Sequence, residues 1–384
     1  MEDFPKLSLL KALALFGANA SGKTNLIKAI SFTRDFVLNS AKQDARINEI
    51  EVEPYKLLVK SQNEPSQFEV EFITNGQRFK YGFSVDKKKV WREYLYLILK
   101  TTEKLYFERI EEKIELSPNF SEGYGKQKFV KSQSLFLSTL AQLNGVISTQ
   151  IFNWFNNLTV ITETNFPSFT GYTAQLFGRK KSDDFLLSVF KGAGFDFDGV
   201  AVRAVNIDEN LLQFFSPEIK ELVRKNSPKQ YQIFTSHKVY DLHGQVVDEV
   251  EFDLKEESAG TQKFFSIAGP IINSLQNGYP IIIDEMDARL HFHLVRFIIR
   301  LFCSESFNSN GSQLVFINQM TDIMDRKLLR RDQILLISRT KMGTELNSIL
   351  KEGARADKSF KNDYLNGEFG AIPDIEFNQL GLFG

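Results

Sequence analysis

One cysteine, Cys303, is all that this chain of 384 residues contains, so no internal disulfide can form, and no spacing suited to a structural zinc exists. That points to a reducing compartment, and the expected localisation is cytoplasmic. An excess of either charge is missing too. With 47 Lys and Arg against 48 Asp and Glu the net charge is -1, so nothing global marks a binder of nucleic acid or of a membrane surface. A local basic face stays open. No apolar run approaches the length that spans a bilayer, and Met1 to Lys11 lacks the apolar core of an export signal, so no membrane association is expected. Long heptad runs with Leu or Ile at the seam are absent, as is any internal repeat.

What is present alternates between strand and helix patterns. Leu13 to Phe16 is an apolar stretch of buried-strand type, and Thr24 to Leu38 repeats Leu26, Ile27, Ile30 and Val37 at helical spacing. Phe68, Val70 and Phe72 alternate before Asn75-Gly76, and Phe79, Tyr81, Phe83 and Val85 alternate after it, which is a hairpin. "VWREYLYLIL" and "KLYFERI" extend it into an antiparallel meander. This alternation makes most of the 36 phenylalanines core residues rather than a stacking platform. From about Pro118 to Val250 helical patterns such as "QSLFLSTLAQLN" and "IFNWFNNL" dominate, with polar stretches between them. From Ser258 a long amphipathic helix runs to Gly278, and "PIIIDE" follows as a strand buried on both faces. A helix through Leu290 and Leu301, a strand "SQLVFI" and a late hairpin around Met342-Gly343 complete the pattern. The expectation is an α/β core with a mixed sheet and an antiparallel meander, split by a largely helical insertion: 1–117, then 118–250, then 251–384.

Gly17-Ala18-Asn19-Ala20-Ser21-Gly22-Lys23-Thr24 fits G-x-x-x-x-G-K-[ST] between a strand and a helix, the arrangement of a phosphate-binding loop. Bare backbone lets several N–H groups of Asn19, Ala20, Ser21, Gly22 and the helix start through Asn25 converge on a phosphate. Lys23 adds a point charge, and Thr24 offers its hydroxyl to Mg²⁺. An ordinary glycine-rich turn would not need those flanking elements. In "IIIDEMD", Asp284 at the end of a buried strand can hold Mg²⁺ through water, and Glu285 can polarise an attacking water. Standing alone, such a pair would read as a solvated strand end. "ESAGTQ" opens the long helix, where Ser258 caps the N-terminus and, with Gly260, also makes an anion site suited to a γ-phosphate. His291 and His293 lie two apart without a third ligand, so a structural role is expected of them. The basic clusters Arg179 to Lys181 and Arg330-Arg331 read as solvated surface, with nucleic-acid contact possible but not indicated.

The order of these motifs, followed by "QLVFINQMT", resembles the bacterial ABC-type AAA ATPases of the RloA and AbiLi kind, with a head similar to that of the SMC and RecF proteins. "VEPYKL", "LFLSTLAQLN", "LLRRDQI" and "YLNGEFGAIP" look like the same family, so the resemblance covers nearly the whole chain. It implies a P-loop NTPase with an ABC-type head whose two copies sandwich ATP, as a homodimer or higher homo-oligomer. The loop of one copy would face Ser258 and Gly260 of the other, and Asp287 would be the D-loop aspartate that links the two sites. Family habit adds a role in anti-phage defence and a separately encoded effector, a nuclease or a toxin-like protein.

Three departures accompany the resemblance. Asn318 and Gln319 stand where relatives place a threonine and a γ-phosphate-sensing histidine; a neutral amide can hydrogen-bond phosphate or water but carries no positive charge, which bears on the hydrolysis rate. The chain reaches its P-loop strand within about a dozen residues, before which relatives carry a further strand region, so either that region is shortened or part of it lies outside this sequence. Phe292 and the "GEF" of the tail also differ. Two other functions stay in view: a compact RecF-like DNA-repair ATPase, which measured salt-dependent DNA affinity would favour, and a nucleotide-gated scaffold of slow turnover. The missing heptads argue against an SMC-type arm.

Overall fold

In the computed structural model, which describes residues 7–42, 49–100, 102–177, 180–205, 230–354 and 358–369, the apolar run before the glycine loop forms strand β1 (Ala12–Phe16). Its residues Ala12, Ala14, Leu15 and Phe16 are buried. The chain divides into two units, residues 1–160 with 324–384, and residues 161–323.

In the first unit β1 leads into α1 (Lys23–Asn39). A second sheet follows, β2 (Ser66–Thr74), β3 (Gln77–Val85), β4 (Val90–Ile98), β5 (Glu103–Ile110) and β6 (Lys113–Leu116), antiparallel throughout and in sequence order. The turn between β2 and β3 has Asn75 at φ 47° and Gly76 at φ 72°, the doubly left-handed geometry of the type I′ hairpin that Asn-Gly favours. Helices α2 (Phe136–Gln142) and α3 (Val146–Asn157) close over this sheet. Aromatic rings make the contact: Phe72 stacks on Trp154 at 4.3 Å, and Phe107 meets Phe136 edge-on at 5.2 Å. The phenylalanines thus pack as core, as their alternation suggests.

Glu93 is buried beneath α2 and accepts from the backbone N–H of Phe136 (2.6 Å), that of Leu137 (2.9 Å) and the Tyr81 hydroxyl (2.9 Å). A carboxylate therefore satisfies two of the donors that a helix start leaves open. Burial holds the Glu93 carboxyl above the usual carboxylate range and the Tyr81 phenol well above its own. From the other side α2 grips the end of α1, where Ser138 donates to the Val37 carbonyl (2.6 Å) and Ser134 to the Ser40 carbonyl (2.8 Å). The helix behind the glycine loop is thereby anchored at its far end.

Two late strands complete this unit. β1 lies parallel to β13 (Ile334–Thr340), with Ala14 opposite Ile334, and β13 runs antiparallel to β14 (Gly343–Ser348). This sheet is mixed, as expected, and the hairpin falls at Met342-Gly343. Gln333 donates to the Ala12 carbonyl at 3.0 Å, tying the two chain regions at the level of the backbone.

In the second unit β11 (Ile281–Ile283) and β12 (Leu314–Ile317) pair in parallel, with the three isoleucines buried. Helices α4 (Thr170–Leu176), α5 (Lys180–Gly192), α6 (Ala259–Asn277) and α7 (Phe292–Cys303) carry most of the remaining core. Pro270 sits inside α6, where a missing N–H strips the carbonyl four residues earlier of its donor. That carbonyl belongs to Ser266, and the buried Thr173 of α4 donates its hydroxyl to it at 3.1 Å while accepting from the Gly269 N–H at 3.1 Å. Two helices are locked together at the proline.

Beside its helices, the 118–250 span carries strands the sequence did not reveal: β7 (Thr159–Ile161), β8 (Gly199–Val205), β9 (Gln230–Tyr240) and most of β10 (Val246–Asp253), the last three an antiparallel sheet in the order β10-β9-β8. The span expected to be largely helical is therefore mixed among the described residues. The physical reason is exposure. Nearly all of β10 faces solvent, and its alternation of Val250 and Phe252 with Glu249, Glu251 and Asp253 is short and acidic. Among the described residues α6 is the longest helix at 19 residues, and no helix is long and apolar enough to cross a membrane.

Candidate functional site

The glycine loop belongs to the first unit. Gly22 closes it at φ 106°, the left-handed region, directly before Lys23 starts α1, and Ala20 stands at φ 60°. A Cβ on Gly17 would lie 2.3 Å from the Ile337 carbonyl oxygen, and one on Gly22 would lie 2.2 Å from Thr344 Oγ1. Close approach thus requires glycine at position 17, and close approach together with the left-handed backbone requires it at position 22. Lys23 is buried and donates to the carbonyls of Gly17 (2.6 Å) and Ala18 (2.7 Å), so the ammonium lies within the curve of its own loop. Ser21 is also buried, and its Oγ has no hydrogen-bond partner among the described residues. A buried hydroxyl without a partner is uncommon enough to call for a ligand. Asn19, Ala20, Thr24 and Asn25 are exposed on the open side.

The carboxylates belong to the second unit. Asp284 is buried at the end of β11, and its N–H donates to the Ile161 carbonyl at 2.8 Å. Glu285 is half-buried and occupies φ 45°, a left-handed value that costs a non-glycine residue energy and that clusters at functional sites. Its carbonyl accepts from the Ala288 N–H (3.0 Å) and from Lys263 Nζ (3.0 Å). Asp287 uses Oδ2 to accept the backbone N–H groups of Gln319 (2.8 Å) and Met320 (2.9 Å), which holds the turn after β12 against the turn after β11. Gln319 is exposed, whereas Asn318 is buried and donates from Nδ2 to the Met320 carbonyl at 2.9 Å. Asn318 Oδ1 has no partner among the described residues.

Ser258 caps α6, its Oγ accepting from the Thr261 N–H at 3.1 Å. Gly260 follows, and a Cβ there would lie 2.9 Å from the Arg289 carbonyl oxygen. The start of α6 thus packs against the segment that carries Asp287. Within this unit Ser258, Gly260, Glu285, Asp287 and Gln319 form one connected neighbourhood.

His291 caps α7 by accepting from the His293 N–H (3.3 Å), and the two rings stack with centroids 5.2 Å apart. No group of three metal-ligating side chains occurs among the described residues. Arg330 pairs with neighbouring Asp332 at 2.8 Å, and Arg331 donates to the Ala354 carbonyl at 2.9 Å. Arg179 and the side chains of Lys180 and Lys181 lie outside the described residues. Sequence reasoning missed three supporting residues: Thr344, Glu163 and Lys263. For Lys263 a signal existed, because it heads the i+4 row of Ile267, Ile271 and Leu275, where a charge marks a buried cation. Thr344 and Glu163 carry no local signal.

Residues 13–317 match the family model described as "AAA domain, putative AbiEii toxin, Type IV TA system". No curated protein matches the chain.

Proposed function

The chain belongs to that family of AAA domains, P-loop nucleotide-binding ATPases, and from this premise we propose that it is an ABC-type ATPase whose two copies close around ATP and whose nucleotide state governs a separately encoded effector in bacterial anti-phage defence. The observation that carries the nucleotide reading is the loop itself, with Gly17 and Gly22 at positions a side chain cannot occupy, Lys23 buried in its curve and Ser21 Oγ unpartnered beside it. The family description, which mentions a toxin system, supports a second gene product as partner.

The residues suit Mg²⁺ as well. Thr24 and Asp284 each offer a hard oxygen ligand, the donor type that Mg²⁺ takes alongside phosphate oxygens and water. Mg²⁺, when bound, would neutralise charge on the phosphoryl oxygens. The loop's N–H groups, from Asn19 to Asn25, and Lys23 orient the phosphates. Glu285 polarises the attacking water, and Gln319 is the neutral group at the switch position. From the second copy Ser258 and Gly260 approach the γ-phosphate, and Asp287 links the two sites.

A second reading, a nucleotide-gated scaffold of slow turnover, is favoured by one observation: Gln319 is exposed and neutral where a cation would serve. Steady-state ATP hydrolysis by purified protein separates the two. Ordinary turnover that Lys23→Ala abolishes supports the ATPase; ATP binding with negligible turnover supports the scaffold. Co-purification with neighbouring gene products in ATP tests the effector, and no partner under any nucleotide condition would count against it.

A further inference from the structure

Lys263 is 1% exposed, and a buried ammonium is costly unless it is paired. It lies one turn into α6 from Gly260. Its Nζ donates to the Glu285 carbonyl (3.0 Å) and to Glu163 Oε2 (3.1 Å), and it sits over the Phe166 ring at 5.6 Å. The other oxygen of Glu163 receives Arg289 Nε at 2.9 Å. Glu285 and Arg289 are the two left-handed non-glycine residues of this turn, at φ 45° and φ 63°. One network of ions therefore holds both, and Asp287 lies between them. Strained backbone persists only where its surroundings over-determine it, and here the surroundings are Lys263 and Glu163.

We propose that Lys263 is a positioning residue: through the Glu285 carbonyl it fixes the turn that aims the Glu285 carboxylate, and it ties that aim to the start of α6, where Ser258 and Gly260 stand. The inference rests on the reading of Glu285 as the group that polarises water. A nucleotide that engages the helix start would be felt at Glu285 through a single side chain.

Three measurements test it in the full chain: ATP affinity, steady-state kinetics, and amide exchange over residues 285–290. Lys263→Met should bind ATP as the wild type does and lose about 100-fold in kcat with little change in KM, the scale expected when a reacting group is misplaced. Amide exchange in the turn should accelerate. In a Glu285→Gln background Lys263→Met should cost nothing further, because there is no carboxylate left to aim. Should Lys263→Met fold poorly, Lys263→Met with Glu163→Gln removes both charges together, and the same results are expected. Wild-type kcat in either folded variant, while Glu285→Gln alone abolishes turnover, overturns the proposal and leaves the role of Glu285 intact. Wild-type turnover in Glu285→Gln instead overturns the reading beneath it, and unchanged exchange in Lys263→Met overturns the positioning role whatever the kinetics.

Discussion

Thr344 Oγ1, on β14, donates to the carbonyl oxygen of Ser21 at 2.9 Å across 323 residues of sequence. The glycine loop is thus shaped from within by its glycines and from outside by a late strand of the same unit. The hydroxyl occupies the space a Cβ on Gly22 would need.

Gly22→Ala therefore meets two obstacles, the φ of 106° and the Thr344 hydroxyl. Unfolding free energy in urea is expected to fall by about 1–3 kcal/mol, and ATP binding should weaken with it. Adding Thr344→Ala relieves the clash but not the backbone, so recovery should be partial. Full recovery would show that the loop does not need the left-handed conformation.

Thr173 answers the donor missing at Pro270. Thr173→Val keeps shape but leaves the Ser266 carbonyl without the hydroxyl that replaces its missing helix donor, with an expected loss of about 1–3 kcal/mol. In a Pro270→Ala background the helix regains its own donor, and the cost of Thr173→Val should shrink. Equal costs in both backgrounds, measured by denaturation, would contradict the compensation.

Glu93 gives a pH signature. Burial raises its carboxyl above the ordinary value, so its contribution to stability is whole below the unfolded glutamate range and is lost as pH rises through the higher folded value. Glu93→Gln should flatten that part of the stability profile between acid and neutral pH. Glu93→Ala should instead cost about 3–5 kcal/mol at neutral pH, because buried Arg109, 3.9 Å away, loses its counter-ion and the α2 donors lose their acceptor.

Asp287 and Gln319 separate backbone from side chain. Asp287→Ala strips two N–H groups of their acceptor and should destabilise by about 1–3 kcal/mol, while Gln319→Ala should stay within about 0.5 kcal/mol. Under the slow-turnover reading Gln319→His raises kcat; no gain would remove the missing cation as the cause.

Much of this was legible from pattern and spacing. Strand, glycine loop and helix at 12–39, the Asn75-Gly76 hairpin, the capped α6 and the buried isoleucine strand all follow from local rules, since each repeats an apolar period or a turn residue. The β8–β10 sheet was passed over although Val250 and Phe252 alternate with Glu249, Glu251 and Asp253, because an exposed and acidic strand carries few apolar residues to mark it. The supports of the candidate site escaped for another reason. Thr344 acts across 323 positions, and Glu163 reaches Lys263 across 100, so no window along the chain contains both partners. Lys263 alone could have been flagged, as a charge heading an apolar row.

Under the proposed function this chain binds ATP, closes as a pair around it and hydrolyses it through Glu285. The most direct measurement is the mass and nucleotide content of Glu285→Gln protein in ATP and Mg²⁺, beside Lys23→Ala. Glu285→Gln should give a particle of at least two chains with ATP retained, and Lys23→Ala no such assembly. A Glu285→Gln protein that stays a single chain at saturating ATP, or that releases ADP at the wild-type rate, would contradict it.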